Sequence, residues 1–300
     1  MASEKVTNEE ATGFSVDALM PRDMARKAED IGVKKAHLDF LSTYTLAVMA
    51  GAFIALGAIF ATVAWTGTSS VPFGWSRLVG GIVFSLGLIL VIVGGAELFT
   101  GNNLIIMAWM ERRVGTLRLL RNWGIVYLGN FGGAALTAVL VFLSRHYFMG
   151  GGSVGVTALN IGLAKVSMTF PQAFLLGVLC NALVCLAVWL CYSARSTIDK
   201  IASIIFPIAA FVACGFEHCI ANMYFIPVAL LIKFYAPASF WTGSGLKPES
   251  YASLNWDALF INNLIPVTLG NIVGGAVLVG FIYWLVYLRG RRRSHSIYSK

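Results

Sequence analysis

Two polar stretches interrupt long apolar runs in this 300-residue chain, GGAELFTGNN at 94–103 and CGFEHCIANM at 214–223. They hold the side chains best equipped for chemistry. Aligning Glu97 with Glu217 also aligns Asn102 with Asn222. A carboxylate at mid-depth in a bilayer costs at least roughly 2.5 to 3.5 kcal/mol on insertion scales, so each glutamate needs a partner or a function. We expect each carboxylate to accept backbone amides freed at a helix break, with Asn102 and Asn222 bridging. Thr100 and His218 would then flank the place where two breaks meet. A hydroxyl and an imidazole can hydrogen-bond a small anion or exchange a proton with it. Of the four histidines, only His218 falls inside an apolar run; His37, His146 and His295 lie at span edges or in the tail and receive no role.

Other chemistries find less support. Haem held by paired histidines needs two of them at facing positions, which argues against a haem-bearing membrane anchor of an enzyme. The five cysteines (Cys180, Cys185, Cys191, Cys214, Cys219) sit in apolar segments without a CxxC pair. No metal site and no cofactor are expected, and the cysteines read as small buried helix residues.

The elements that must position these residues follow from composition. Apolar residues make up 58% of the chain and charged residues only 12%, so lipid is the solvent for most of it. Runs long enough to cross a hydrocarbon core occur near 38–65, 78–110, 119–143, 170–194, 200–233 and 260–288. In lipid such runs form helices, because a helix satisfies its own backbone hydrogen bonds. The second and fifth runs are longer than a crossing needs and contain the two polar stretches, so both are expected to be broken helices.

The charge of +8 is a topology signal rather than a nucleic-acid footprint. With both termini cytoplasmic, 17 of the 22 Lys and Arg fall on the cytoplasmic side, including Arg112, Arg113, Arg195 and Lys200. The run RGRRR and the tail over 290–300 belong to that side, with lipid headgroups as one possible contact. Residues 1–35 are polar and lack an apolar h-region, so no cleavable signal peptide is expected. Within them, 15–31 place Val16, Leu19, Met20, Met24, Ala28 and Ile31 on one helical face, an amphipathic helix that could anchor passively or gate the inner mouth. Residues 36–289 would form the channel domain.

The third run of each half repeats a second signature, LGNFGGA at 128–134 and LGNIVGGA at 269–276. Two matches in the same order indicate repeats over about 36–145 and 165–289. Three spans per repeat put the second copy in the membrane upside down, and broken helices of such repeats meet near the midplane to form the substrate site. Glycine runs here favour close helix packing. Asn181 is a lone buried amide, while Phe84, Leu88, Leu98, Phe99 and Phe211 could be core or could narrow a pore.

These stretches, with MPRDMARKAEDIGVKKA before the first span and NNLIPVTLGNIVGG in the last, resemble the formate/nitrite transporter family over about 14–288, and within it the bacterial formate channels. The resemblance implies an aquaporin-like six-helix protomer, assembly as a homopentamer in the inner membrane, one pore per protomer and a lipid-filled central hole. It implies that Thr100 and His218 form the central polar pair, that Asn181 contacts His218, and that Phe84, Leu88, Leu98 and Phe211 form constrictions. It also implies that Lys165, in the loop after the third span, attracts anions to the outer vestibule. Formate is the expected substrate, with nitrite, lactate, acetate or hydrosulfide as alternatives, since Gly101 stands where many formate channels carry serine. Whether His218 protonates the anion or only hydrogen-bonds it stays open.

Overall fold

The computed structural model describes residues 18–289. The tail over 290–300, His295 and the first residues of the amphipathic segment lie outside them. The described residues are helical, and the boundaries follow local chemistry. Helix α1 (Pro21–His37) starts where Pro21 supplies a preset φ at a position needing no amide. It begins later and ends later than the amphipathic pattern suggests. Its Met24, Ala25, Ala28, Gly32 and Ala36 are buried, and Met24, Ala25 and Ala28 pack against Leu104, Met107, Trp189, Tyr192 and Trp284. Met24 and Ala28 of the apolar stripe are therefore covered by protein, while Met20 is exposed.

Helix α2 (Phe40–Trp65) is capped by Asp39, whose carboxylate accepts from the Ser42 amide at 2.9 Å. Helix α3 (Phe73–Gly94) is followed by α4 over 99–110, which contains a tighter turn at Asn103–Ile105. Helix α5 (Thr116–Leu143) closes the first half. The second half runs through α6 (Ser153–Val166), α7 (Phe170–Ser193), α8 (Thr197–Ala213) and α9 (Cys219–Tyr235), then the short α10 (Ala238–Ser244). It ends in α11 over 256–287, which is wound wide at Leu259–Leu264 and Val273–Phe281. Among the described residues five segments are long and apolar enough to cross a bilayer, and α9 with α10, bent from it by 104°, brings the number to six.

The long helices of the two halves correspond in their contacts. Glu97 donates its amide to the Leu46 carbonyl and Glu217 to that of Leu176, both at 3.2 Å, so α2 and α7 hold the same place. Close crossings repeat as well. A β-carbon on Gly133 would sit 1.9 Å from the Val48 carbonyl oxygen, and one on Gly274 would sit 2.1 Å from that of Val178. Gly133 therefore corresponds to Gly274, and the two LGN segments pair without the one-residue gap that their sequences invite. Each half also includes a fourth, shorter helix, α1 or α6, which the three-span repeat did not anticipate.

Candidate pore

Each long broken helix ends in a glycine with left-handed backbone, Gly95 at φ 77° and Gly215 at φ 74°. The chain turns there, runs extended through the glutamate, and restarts as α4 or α9. The freed backbone groups do not go to Glu97 or Glu217, contrary to expectation. They go to asparagines of the repeated LGN segments. Asn130 Oδ1 accepts from the Phe99 amide at 2.9 Å while its Nδ2 donates to the Ala47 and Glu97 carbonyls at 2.7 and 2.9 Å. Asn271 does the same with the Cys219 amide (3.0 Å) and the Gly177 and Glu217 carbonyls (2.8 and 2.9 Å). A carboxylate only accepts, whereas a primary amide satisfies a freed N–H and freed C=O groups together. The repetition of these asparagines in both LGN signatures was the signal in the sequence.

The glutamates meet lysines instead. Glu97 Oε1 accepts from Lys35 Nζ at 2.8 Å, and Oε2 from Asn102 Nδ2 at 2.6 Å. Asn102 also donates to Asn122 Oδ1 at 3.0 Å, and Asn122 donates to the Lys35 carbonyl at 3.2 Å. The second half rebuilds this ring: Lys165 donates to Glu217 Oε1 at 2.9 Å, Asn222 to Glu217 Oε2 at 2.6 Å and to Asn263 at 2.7 Å, and Asn263 to the Lys165 carbonyl at 3.0 Å. Lys165 therefore lies on helix α6 with its charge held by a buried carboxylate, rather than free in a loop. Asn102 and Asn222 do bridge, but from carboxylate to helix.

The two breaks meet at Thr100 and His218. Thr100 Oγ1 lies 3.0 Å from His218 Nε2, and both residues are buried. His218 also caps α9, its Nδ1 accepting from the Ala221 amide at 3.1 Å. With both ring nitrogens engaged, Asn181 does not reach His218, which corrects that expectation. Its amide donates to the Asn271 carbonyl (2.7 Å), to Asn103 Oδ1 (3.0 Å) and to the Thr100 carbonyl (3.3 Å), so it braces the pair from the Thr100 side.

Cavities open on either side of the pair. One, of about 260 Å³, lies between α1 and the bundle; Leu88 and Leu98 are in its wall with Lys27, Lys35, Lys200 and Glu97. Burial, then the charges of Lys200 and Arg195, holds the Lys27 ammonium below its ordinary pKa. The other, of about 220 Å³, lies beside α6; Phe84 and Phe211 line it with Arg77, Lys165, Glu217 and His218. Phe211 stacks on His218 with centroids 5.8 Å apart and meets Phe84 edge-on at 5.7 Å. Phe99 belongs to neither wall. Its ring packs against Trp123 and Tyr127 of α5, because a residue next to Leu98 at a helix start faces the opposite way. In both cavities lining lysines and arginines outnumber lining acids, a field that suits anions. Arg77 is one of the five Lys and Arg outside the cytoplasmic set of 17, and in the sequence it counts only toward topology. No group of three or more His, Cys, Asp or Glu that could hold a metal occurs among the described residues.

Comparison with known proteins places this geometry. The formate/nitrite transporter family model matches residues 22–285. The chain is similar to the formate channel FocA of Escherichia coli K12, with 48% identity over 91% of this chain and 96% of the relative. It is also similar to FocA of Haemophilus influenzae, with 42% identity over 88% and 93%. Among solved structures it is similar to a pentameric formate channel with formate bound, with TM-score 0.77 and 47% identity, covering 83% of this chain and 98% of that one. An FNT family ion channel matches with TM-score 0.74 and 28% identity, covering 88% and 98%. Matched along nearly its whole length by a family model and by relatives of such identity, the chain belongs to the formate/nitrite transporter family.

Proposed function

We propose that the chain is a formate channel, with one pore per protomer running between the two cavities through Thr100 and His218. The observation that carries this reading is the buried 3.0 Å contact of these two side chains, flanked on both sides by cation-lined cavities. The relatives named as formate channels support formate over nitrite, lactate, acetate or hydrosulfide.

An anion entering the narrow stretch loses water, and apolar walls return nothing for it, so a donor must stand at the midpoint. Phe84 and Phe211 narrow one approach, and Leu88 and Leu98 the other. At the midpoint the hydrogen-bond directions are fixed. The Ala221 amide donates to His218 Nδ1, so the ring proton sits on Nε2 and is donated to Thr100 Oγ1. That leaves the Thr100 hydroxyl proton to meet a carboxylate. A neutral imidazole that surrendered its Nε2 proton would become an imidazolate, and a second proton on Nδ1 would face an N–H. The geometry therefore supports hydrogen-bonded passage of the anion in preference to protonation by His218.

The reading extends to placement. We take the protein to span the inner membrane with both termini in the cytoplasm, following the Lys and Arg asymmetry. The α1-side cavity is then cytoplasmic and the α6-side cavity is the outer vestibule. Assembly as a homopentamer in lipid follows the relative solved as a pentamer, and transport rather than enzymatic turnover is the activity assigned.

Flux of formate and of nitrite into proteoliposomes, across roughly pH 5 to 8, tests this reading. Formate is expected to exceed nitrite, with His218→Ala lowering flux by at least about tenfold, the equivalent of one strong hydrogen bond. Nitrite dominance with an indifferent variant would overturn both substrate and site. Flux that rises with falling pH beyond the supply of formic acid would restore the protonation mechanism.

A further inference from the structure

In the α6-side cavity Arg77 is the lining cation that the Lys165–Glu217 pair does not use. It projects from α3 to the end of α8, where its Nε donates to the Ala213 carbonyl at 3.1 Å and its Nη2 to the Val212 carbonyl at 2.6 Å. Those carbonyls end α8 at the second break; the Gly215 amide also reaches that of Val212 at 3.1 Å, whereas no helical amide follows for that of Ala213. On its other side the guanidinium lies over the Trp65 ring, 5.0 Å from the centroid. Among the described residues Nη1 has no protein partner, and the side chain lines the same cavity as Lys165, Glu217 and His218.

The first break has nothing equivalent. In the aligned positions the carbonyls are those of Ile92 and Val93, and no side chain bonds them among the described residues. The second break is thus held by a planar cation whose two donors fix its pose and whose remaining N–H groups stay available. Lys165 stands in the same cavity but gives its charge to Glu217 at 2.9 Å. Arginine presents a fixed fork that matches a carboxylate, whereas a lysine ion-paired in this way does not.

We propose that Arg77 is the anion receptor of the outer vestibule: the fork edge at Nη1 takes a small monocarboxylate before it passes Phe84 and Phe211. The assignment rests on the channel reading above and adds a binding step to it. Its consequence is that entry from the α6 side saturates at a concentration set by Arg77, while the narrow stretch at Thr100 and His218 sets the maximal rate. Trp65, lying against the guanidinium, should report occupancy optically.

The test measures the concentration dependence of entry into proteoliposomes for formate and nitrite, comparing wild type with Arg77→Gln and Arg77→Lys. Arg77→Gln is expected to raise the half-saturating concentration about tenfold with the maximal rate within about twofold, and Arg77→Lys to recover most of the affinity. A lowered maximal rate at unchanged half-saturation would mean a purely structural clamp and overturns the proposal. If wild type carries nitrite and not formate, the formate reading fails while the Arg77 comparison is still read on nitrite. A second readout needs no flux. In full-length protein, formate should change the tryptophan emission that Trp65→Phe removes, and Arg77→Gln should abolish that change; an unresponsive Trp65 in wild type overturns the proposal.

Discussion

The two helix breaks share one backbone solution and differ in the side chains that meet between them. In each, a left-handed glycine ends the first helix, an LGN asparagine satisfies the freed backbone, and a Lys–Glu–Asn–Asn ring ties the glutamate to a short helix. The departures concentrate at the centre. His218 stands where the first half has Leu98, Thr100 where the second has Ile220, and Asn181 where the first has Gly51. The repeat solves the problem of a broken helix in lipid twice in the same way, and the chemistry comes from where the copies disagree. A polar pair needs only one member from each half. A symmetric pair of leucines would leave a dehydrated anion without a donor, and a symmetric pair of histidines would set two capped rings against each other.

If the asparagines are the shared solution, removing either should be the most damaging change and the damage should be equal. Asn130→Ala and Asn271→Ala each orphan one amide and one carbonyl of a break, at about 1 to 3 kcal/mol per buried group, and cut the tie to a mid-helix carbonyl, that of Ala47 or Gly177. Both are expected to abolish recovery of folded protein, read as loss of a single size-exclusion peak; survival of one alone would break the equivalence. The lysines should split the halves. The Lys35 side chain is 27% exposed and that of Lys165 13%, while the glutamates are 5% and 4%. Lys165→Met strands the deeper carboxylate and should cost roughly 3 to 5 kcal/mol, whereas water reaching the Lys35 site reduces the loss there to about 1 to 2 kcal/mol. Melting temperatures of the two variants in one detergent check the order.

Much of this arrangement was legible in the sequence. The broken spans followed from polar residues in runs too long for one crossing, and the inverted repeat from two signatures in the same order. Thr100 and His218 stood out because a polar residue in lipid demands a reason. What escaped was pairing. Lys35 and Lys165 lie about sixty and fifty positions from their glutamates, a separation that only the fold closes, and helical periodicity carries no signal for it. Asn130 and Asn271 were visible as repeated letters but were read as part of a packing motif. Arg77 was counted and not placed, because a charge near a span end is ordinarily a topology signal. Phe99 and Leu98 are neighbours of like hydrophobicity, and only the direction in which α4 starts separates core from pore wall.

The size exchange around Asn181 sharpens the comparison at a smaller scale. Asn181 occupies space that Gly275 leaves open, where the first half has Gly51 and Ala134. A β-carbon on Gly275 would lie 2.3 Å from Asn181 Nδ2 and 2.8 Å from Cys185 Sγ. Gly275→Ala is therefore expected to destabilise by about 1 to 3 kcal/mol through overpacking and to lower flux by disturbing the carbonyl brace on Thr100. Ala134→Gly in the other half should cost only about 0.5 to 1 kcal/mol and leave flux alone. Equal effects on flux would mean that Asn181 has no part in holding the pair.

The smallest expected effect lies at Thr100 itself, and it separates hydroxyl from shape. Thr100→Val keeps the branched outline and removes the one group that both accepts from His218 Nε2 and retains a proton to donate. Thr100→Ser keeps the hydroxyl and loses a methyl. On the hydrogen-bonded reading, Thr100→Val should lower formate flux by about tenfold, the equivalent of one hydrogen bond near 1.4 kcal/mol. Thr100→Ser should stay within about threefold, since deleting one methyl changes packing by less than about 1 kcal/mol where neighbours can settle. Because Ile220 fills the equivalent place in the second half without a polar group, neither change should disturb the breaks. Matching melting curves alongside the flux loss in Thr100→Val would locate the effect in the anion's path, and a parallel loss of stability would locate it in the scaffold.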